Sequence, residues 1–464
     1  MSENSPQEAV ERALAAARCE DCVVIADESS AANLRWAGNS LTTNGVSRSR
    51  QLTVIAISRS GGQARAGVVS RAGVHPHQIA DVVAEAEASA AAASPADDAQ
   101  PLVTGTVSAG ASWDEPPAAT EIGVLSGFAA ELGHAFDTAA GGGRKLYGFA
   151  EHLMTSSYLG TSSGLRLRHD QPTGRLELNA KSDDLVRSAW AGAGTRDFAD
   201  VDVAALEADL AQRLDWAKRS LSLPAGRYET LLPPTAVADL LIYMYWSAGA
   251  KDALDGRTVF SKAGGGTRVG DQLASLPLTL HSDPNQPGLQ CAPFVIAHAS
   301  SRESSVFDNG LPTGRTDWIA AGKIGALTQT RHSARLSGLP VTPAIDNLVL
   351  TAPGGAGTTA DLVGRTDRGL LLTCLWYIRE VDPQTLLLTG LTRDGVYLVE
   401  NGEVTGAVNN FRFNESPVAM LGRITEAGAT MPTLPREWAD YFTRTAMPPV
   451  RVEGFNMSSV SQAS

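Results

Sequence analysis

The segment Thr235–Gly249, TAVADLLIYMYWSAG, constrains the fold more than any other part of the sequence. Apolar side chains occupy nearly the whole circumference of a helix drawn through it. A helix that is apolar all round is buried. The segment Arg227–Leu231 lies just before it and predicts a short strand. We therefore expect a strand followed by a buried helix in this part of the chain.

Length and charge limit the classes of protein to consider. The chain has 464 residues, which favours two or three domains. Its 38 basic and 50 acidic residues give a net charge of −12. Nucleic-acid binding depends on basic patches that neutralise phosphates, so a nucleic-acid partner is not expected.

The chain is expected to be a soluble cytoplasmic protein. Its N-terminus lacks a basic region followed by an apolar run, so no secretory signal is predicted. The most apolar stretch, Leu231–Ala250, contains Pro233, Pro234 and Asp239, so no membrane span is predicted. Four scattered cysteines do not suggest a disulfide framework, which fits a reducing compartment.

The first half of the chain mixes helical and extended patterns. We predict an α/β domain over residues 1–222, with helices packed on a mainly antiparallel sheet. Strands are expected within Asn33–Ser70, with turns at Asn44-Gly45 and Gly61-Gly62, and Ser94–Pro117 is expected to be a surface loop. The predicted helices are Gln7–Ala17, Pro76–Ala92, Thr120–Ala139 and Val201–Leu221; the predicted paired strands are Arg144–Leu159 and Leu165–Lys181.

The second half predicts a β-rich domain over residues 223–464, which makes the fold class α+β. Asn401-Gly402 is a type I′ hairpin signal, and Ser458–Ser464 is expected to fray. The predicted strands are Pro277–His281, Phe294–Ala299, Thr316–Ala320, Leu348–Ala352, Leu370–Ile378, Thr385–Gly390, Val396–Glu400 and Val450–Met457.

Two short motifs have both a catalytic and a structural interpretation. Cys19-Glu20-Asp21-Cys22 has the CxxC spacing of redox and zinc sites, but it lies at a helix end before a strand, which favours a simple turn. Gly160–Gly164 fits the GxSxG pattern of serine hydrolases. Its flanks read as two strands, which favours a hairpin turn over a nucleophile elbow.

The histidines and the glycine clusters do not predict a metal site or a phosphate-binding loop. His281, His298 and His332 are spaced unlike helical metal ligands and read as ordinary histidines. The glycine clusters Gly264–Gly266 and Gly354–Gly357 are not followed by Lys-Ser or Lys-Thr, so they read as turns and not as phosphate-binding loops.

Four longer segments resemble one protein family. They are SSVFDNGLPTGRTDWIAAGKIGAL (Ser304–Leu327), PGGAGTTADLVGRTDRGLLLT (Pro353–Thr373), VYLVENGEVTGAVNNFRF (Val396–Phe413) and NLRWAGNSLTTNGV (Asn33–Val46). They occur in the order found in the TldD/PmbA (TldE) family of peptidase-related proteins. The resemblance extends from about residue 30 to about residue 455.

The resemblance implies a specific place for this chain within the family. Catalytic TldD-like members carry HExxxH on the helix that corresponds to Thr235–Gly249, and a zinc-binding cysteine near the C-terminus. Here that helix has no His and no Glu, and no cysteine follows Cys374. The chain is similar to the TldE/PmbA-like subunit, for which the resemblance implies no metal or catalytic residue of its own and zinc in the partner.

This resemblance sets the functional hypotheses. It implies a non-catalytic subunit that pairs with a TldD-like paralogue to form a zinc metallopeptidase for unfolded or small peptides. By position, the expected substrate-binding residues are Tyr243, Ser247, Asp308 and Asn309. Two alternatives are a family member adapted to a biosynthetic bond cleavage and a homodimeric peptide-binding or scaffold protein.

Overall fold

The computed structural model describes residues 5–105, 112–393 and 395–461. Helix α1 begins with a capping box, in which Ser5 and Glu8 satisfy each other's main-chain N–H groups. Short 3-10 helices lie at Pro76–Gln78, Ile122–Leu125 and Val306–Asp308. The α-helices of the described part are α1 (Pro6–Ala16), α2 (Ile79–Ala92), α3 (Ser126–Gly141), α4 (Val203–Trp216), α5 (Pro234–Trp246), α6 (Ala250–Leu254), α7 (Arg331–Ser337), α8 (Thr359–Gly364) and α9 (Pro417–Leu421).

The strands form three sheets. Their bounds in the described part are β1 (Asp21–Ala37), β2 (Leu41–Ser60), β3 (Gln63–Ala72), β4 (Arg144–Thr161), β5 (Arg166–Ser182), β6 (Ser188–Thr195), β7 (Ser220–Leu221), β8 (Gly226–Leu232), β9 (Thr279–Ser282), β10 (Thr316–Ala320), β11 (Lys323–Ile324), β12 (Leu348–Thr351), β13 (Arg368–Leu372), β14 (Leu375–Asp382), β15 (Leu387–Thr392), β16 (Val396–Glu400), β17 (Glu403–Val408), β18 (Phe411–Glu415), β19 (Ile424–Ala427), β20 (Met431–Thr433), β21 (Thr445–Met447) and β22 (Val450–Val460).

The first sheet is antiparallel, with strand order β3-β2-β1-β4-β5-β6. Alternate residues of a strand point to opposite faces. On one face, Val24 and Ala26 of β1 pack in a core with α1 and α2, and Leu34 and Trp36 pack in a core with α3 and α4. The predicted arrangement of helices on a mainly antiparallel sheet is confirmed.

The opposite face of the first sheet contacts the second half of the chain. Val23 and Ile25 of β1 share a core with Phe294, Val306 and Phe307. The two halves are therefore joined by apolar packing.

The second half contains the other two sheets. One has the order β11-β10-β9-β12-β21-β20, and the other has the order β14-β15-β18-β22-β8-β13-β16-β17-β7, with β19 also pairing with β22. Strand β7 ends at Leu221 and already belongs to the second of these sheets. The α+β class with a β-rich C-terminal half is confirmed, whereas the boundary at residue 222 stays a prediction.

Several local predictions are wrong. The first hairpin turns at Gly38 and Asn39, whose φ angles of 60° and 63° suit a tight hairpin, and Asn44-Gly45 lies inside β2. The predicted helix Val201–Leu221 ends at Trp216, after which Ser220–Leu221 forms a strand.

Two C-terminal predictions also change. Phe294–Ala299 is not a strand; it makes an isolated bridge at Phe294, whose ring serves the core beneath the first sheet. Ser458–Val460 continues β22 by pairing with β18 instead of fraying. Residues 462–464, and residues 106–111 of the predicted loop Ser94–Pro117, lie outside the described residues.

Candidate functional site

Helix α5 crosses the core of the second half. It follows β8 directly, starts with Pro234 in its first turn and ends at Trp246. Leu240, Leu241 and Ile242 are fully buried, as the apolar sequence predicts. Ser247 caps the end of the helix by donating its hydroxyl to the Tyr243 carbonyl at 2.9 Å. The predicted strand and buried helix are confirmed.

Aromatic rings cover the last turn of α5. The rings of Tyr243 and Trp246 lie 5.6 and 5.1 Å from that of Trp438. The ring of Tyr245 lies 5.2 Å from that of Trp318, and the Tyr245 hydroxyl bonds both main-chain groups of Ile345. These contacts rigidify the helix where the resemblance places the metal chemistry.

Asp239 has a structural role that sequence reasoning missed, because in the sequence it served only as an argument against a membrane span. It is fully buried one turn before Tyr243, and its Oδ1 accepts the main-chain N–H of Glu437 at 2.9 Å. Burial raises the pKa of Asp239 well above its usual range, and the nearby Glu437 carboxylate adds to this. An aspartate within a run of apolar residues was the signal available in the sequence.

The Glu437 carboxylate is fully engaged by the chain itself. It accepts the main-chain N–H groups of Tyr377 and Ile378 at 3.1 and 3.0 Å, and it lies 3.3 Å from Nη1 of Arg379. These bonds hold β14 where its pairing with β15 is irregular, between Trp376 and Arg379. Glu437 therefore positions a strand.

The residues around α5 do not fit a zinc ion. Zinc sites in proteins use three or four Cys, His or carboxylate ligands. Burial favours the neutral form of Asp239, and the oxygens of Glu437 are engaged. A third carboxyl near the helix is that of Glu380, close to Tyr243. Across residues 5–105, 112–393 and 395–461, no three His, Cys, Asp or Glu side chains form a group suited to a metal.

Asp308 and Asn309 lie in a buried turn. Asp308 accepts bonds from the main-chain N and the Nε of Arg331, at 3.0 and 2.6 Å. The Asn309 amide bonds both main-chain groups of Ala297, at 2.7 and 2.9 Å. Both side chains therefore hold loops together, and a substrate contact by either stays a prediction.

The four predicted substrate residues fall into two pairs. Tyr243 and Ser247 lie at the end of α5, whereas Asp308 borders a cavity of about 300 Å³ that neither of them lines. A short main-chain bridge links the pairs: Thr328 bonds Ala248 and Ala250 at 2.9 and 3.0 Å, three residues before Arg331. The pairs thus share a scaffold without forming one surface.

The CxxC and GxSxG segments form the turns that their structural interpretations predict. Cys19 and Cys22 span the turn between α1 and β1, and the Cys22 thiol lowers the pKa of Cys19. Ser162 lies in the hairpin between β4 and β5, where its Oγ accepts the Cys22 N–H at 2.9 Å. A serine in this hairpin lacks the strand-to-helix turn of a nucleophile elbow.

The predicted histidines have separate environments. Burial is the main cause that lowers the pKa of His281, in β9. His298 bonds Asp27 at 2.7 Å, which raises the pKa of His298. His332 lies in the first turn of α7. The described residues bring no trio of these rings together as a metal site.

Comparison with known proteins identifies the family to which this fold belongs. The family described as the PmbA/TldA metallopeptidase C-terminal domain matches residues 225–459, a range that includes β8, α5 and Glu437. The chain belongs to the PmbA/TldD family. Comparison with curated proteins finds no match.

Solved structures extend the PmbA/TldD likeness over the whole fold. A crystal structure of TldE from Thermococcus kodakarensis is 16% identical, with a TM-score of 0.78, and the match covers 96% of this chain and 98% of that one. A Thermotoga maritima protein described as a modulator of a DNA gyrase is 17% identical, with a TM-score of 0.78 and coverage of 97% and 99%. A Bacteroides thetaiotaomicron protein with a similar description is 14% identical, with a TM-score of 0.74 and 98% coverage of both chains.

The three structures therefore share the fold of this chain. Among the helices of the described part, none is both long and apolar enough to cross a bilayer.

Proposed function

We propose that this chain is the non-catalytic subunit of a two-subunit zinc metallopeptidase. It pairs with a TldD-like paralogue, and the complex degrades or processes unfolded or small peptides in the cytoplasm. The paralogue supplies the zinc ion, the activation of water and the general base. This chain supplies a wall of the substrate cavity.

The packing of side chains on α5 is the observation that supports the proposal most directly. In TldD-like members the resemblance places HExxxH on this helix. Here the corresponding face holds Asp239 against the main chain of Glu437, and Tyr243 and Trp246 against Trp438. A zinc peptidase needs a rigid ligand set with an open coordination position. Aromatic packing and one engaged carboxyl do not provide it.

Family membership supports the peptidase side of the proposal. The matched range carries a metallopeptidase description. The chain also matches a TldE structure along nearly the full length of both proteins. A chain with the complete scaffold and without zinc ligands on α5 fits a supporting subunit.

Co-expression with the TldD-like paralogue tests this function. We expect a stable complex that cleaves an unstructured peptide, whereas this chain alone does not cleave it. Size measurement and the cleavage assay are made on the same samples. A stable homodimer that ignores the paralogue would support a scaffold protein and overturn the proposal. A complex that cleaves a modified metabolite but no peptide would favour the biosynthetic alternative.

A further inference from the structure

A cleft of about 910 Å³ lies between the first sheet and the second half of the chain. One wall carries Tyr147, Lys181 and Trp190 from β4, β5 and β6, and the other carries Trp376 and Arg436. Pockets that bind small ligands typically enclose about 300–1,000 Å³. The cleft therefore has room for a short peptide segment and not merely for a single ion.

Arg436 is held between two aromatic rings. Its guanidinium carbon lies 4.1 Å from the ring centre of Trp376 and 5.1 Å from that of Trp190. Cation–π contacts of this kind fix the position of a guanidinium without neutralising it. The carboxylate nearest to Arg436 is that of Glu177, at 3.6 Å, and it also accepts the Trp190 indole N–H at 3.0 Å. The Glu177 carboxylate is thus shared between Arg436 and the Trp190 indole.

Lys181 supplies a second positive charge in the cleft. It lies on β5, with its Nζ 6.0 Å from the Tyr147 ring centre. Among the described residues that line the cleft there is no Asp or Glu. The whole chain carries a net charge of −12, so this positive cleft reverses the prevailing sign. Cations between low-dielectric walls attract an anionic group.

We propose that this cleft binds the C-terminal end of an unfolded peptide. Lys181 and Arg436 receive the terminal carboxylate, and an apolar last side chain packs against the half-buried ring of Trp376. The choice of a peptide rests on the proposed function, whereas the need for an anion with an apolar body rests on the cleft itself. An internal peptide segment has no terminal carboxylate and binds there more weakly.

Calorimetry with the isolated full-length chain tests this site. The probe is an unstructured hexapeptide that ends in Leu-Phe with a free carboxylate, and its partner is the same peptide with a C-terminal amide. A charge-assisted hydrogen bond contributes about 1.5–3 kcal/mol, so the amide should bind about tenfold more weakly or worse. The variant Lys181→Gln should weaken the acid by a similar factor and leave the amide nearly unchanged.

The matched control is Lys262→Gln, which removes an exposed lysine far along the chain from the cleft residues. It should bind both peptides like the unaltered chain, and thermal unfolding checks that each variant is folded. Equal binding of acid and amide, or an unaffected Lys181→Gln variant, would overturn the site. Displacement of the peptide by inorganic phosphate at lower concentration than by acetate would also overturn it, in favour of a phosphorylated ligand.

This experiment is independent of the paralogue. If the chain binds the acid but forms no complex with the paralogue, the peptide site is supported and the proposed function is refuted. If the chain forms the active complex but binds the acid and the amide equally, the proposed function is supported and the peptide site is refuted.

Discussion

Oδ1 of Asp239 accepts a hydrogen bond from the main-chain N–H of Glu437 at 2.9 Å, across 198 positions of sequence. The next residue, Trp438, donates its indole N–H to the Asp239 carbonyl at 2.8 Å. Two successive residues of the C-terminal segment are therefore tied to the same residue of α5. Since Glu437 also holds β14, this segment connects the helix to the large sheet.

Asp239 makes stability depend on pH. An unfolded aspartate has a pKa of about 3.9, and burial raises the folded value. The folded state keeps its proton after the unfolded state has lost it, so this contribution to stability falls as pH rises above about 4. We expect Asp239→Asn to gain thermal stability relative to the unaltered chain between pH 5 and pH 8.

Thermal unfolding at several pH values measures this effect. The control Asp137→Asn changes an exposed aspartate of α3 and should show no such trend. A difference between Asp239→Asn and the unaltered chain that stays constant with pH would refute the account of Asp239.

Tyr245 satisfies two buried main-chain groups through one hydroxyl. It donates to the Ile345 carbonyl at 3.0 Å and accepts the Ile345 N–H at 2.8 Å. Tyr245→Phe leaves both groups unpaired, at a cost of about 1–3 kcal/mol for each. Chemical denaturation should show this loss, whereas Tyr441→Phe, at a residue that is 75% exposed, should change stability by less than about 0.5 kcal/mol. Equal effects of the two changes would contradict this role.

Asp308 stabilises the fold through Arg331. The Asp308 side chain is only 3% exposed, and removing one partner of a buried ion pair costs about 3–5 kcal/mol. Asp308→Ala should therefore lower the free energy of unfolding by about that amount. Arg71→Ala, which breaks an exposed pair with Glu85, should cost less than about 1 kcal/mol. If Asp308→Ala keeps its stability and loses peptide binding, Asp308 is instead a substrate contact.

His298 links the second half of the chain to β1 through Asp27 at 2.7 Å. The hydrogen bond to Asp27 raises the pKa of His298 above its unfolded value of about 6.5. The resulting stabilisation is complete below pH 6.5 and is lost as pH rises through the folded pKa. Since the His298 side chain is 41% exposed, the gain is below about 1 kcal/mol.

The variant His298→Gln measures this contribution. It should destabilise the chain at pH 5.5 and have a smaller effect at pH 9, as followed by chemical denaturation. His134→Gln, which changes an exposed histidine of α3, is the control. A larger loss at pH 9 than at pH 5.5 would reverse the sign and refute the linkage.

The sequence predicts elements whose signals are local. The apolar run of α5 and the Asn401-Gly402 turn, with φ angles of 52° and 82°, appear as expected. The first hairpin turn does not, because Asn44-Gly45 competes with Gly38-Asn39 as a turn signal. Asn39 wins through a tertiary contact, since its side chain bonds the main chain of Leu146 at 2.6 Å.

Contacts between distant residues account for what the sequence could not predict about the site. Asp239 is visible as a charge within an apolar helix, but its partner Glu437 is not. The cleft is hidden for the same reason, because Trp190, Trp376 and Arg436 come from three separate parts of the chain. Single-sequence patterns report periodicity and turns, and they do not report which segments meet.

Zinc content measured together with peptide cleavage tests the central claim most directly. This chain, its TldD-like paralogue and their complex are each purified, analysed for bound zinc and assayed with an unstructured peptide. We predict zinc in the paralogue and the complex, no stoichiometric zinc in this chain, and efficient cleavage by the complex alone. Stoichiometric zinc and full cleavage activity in this chain by itself would contradict the account.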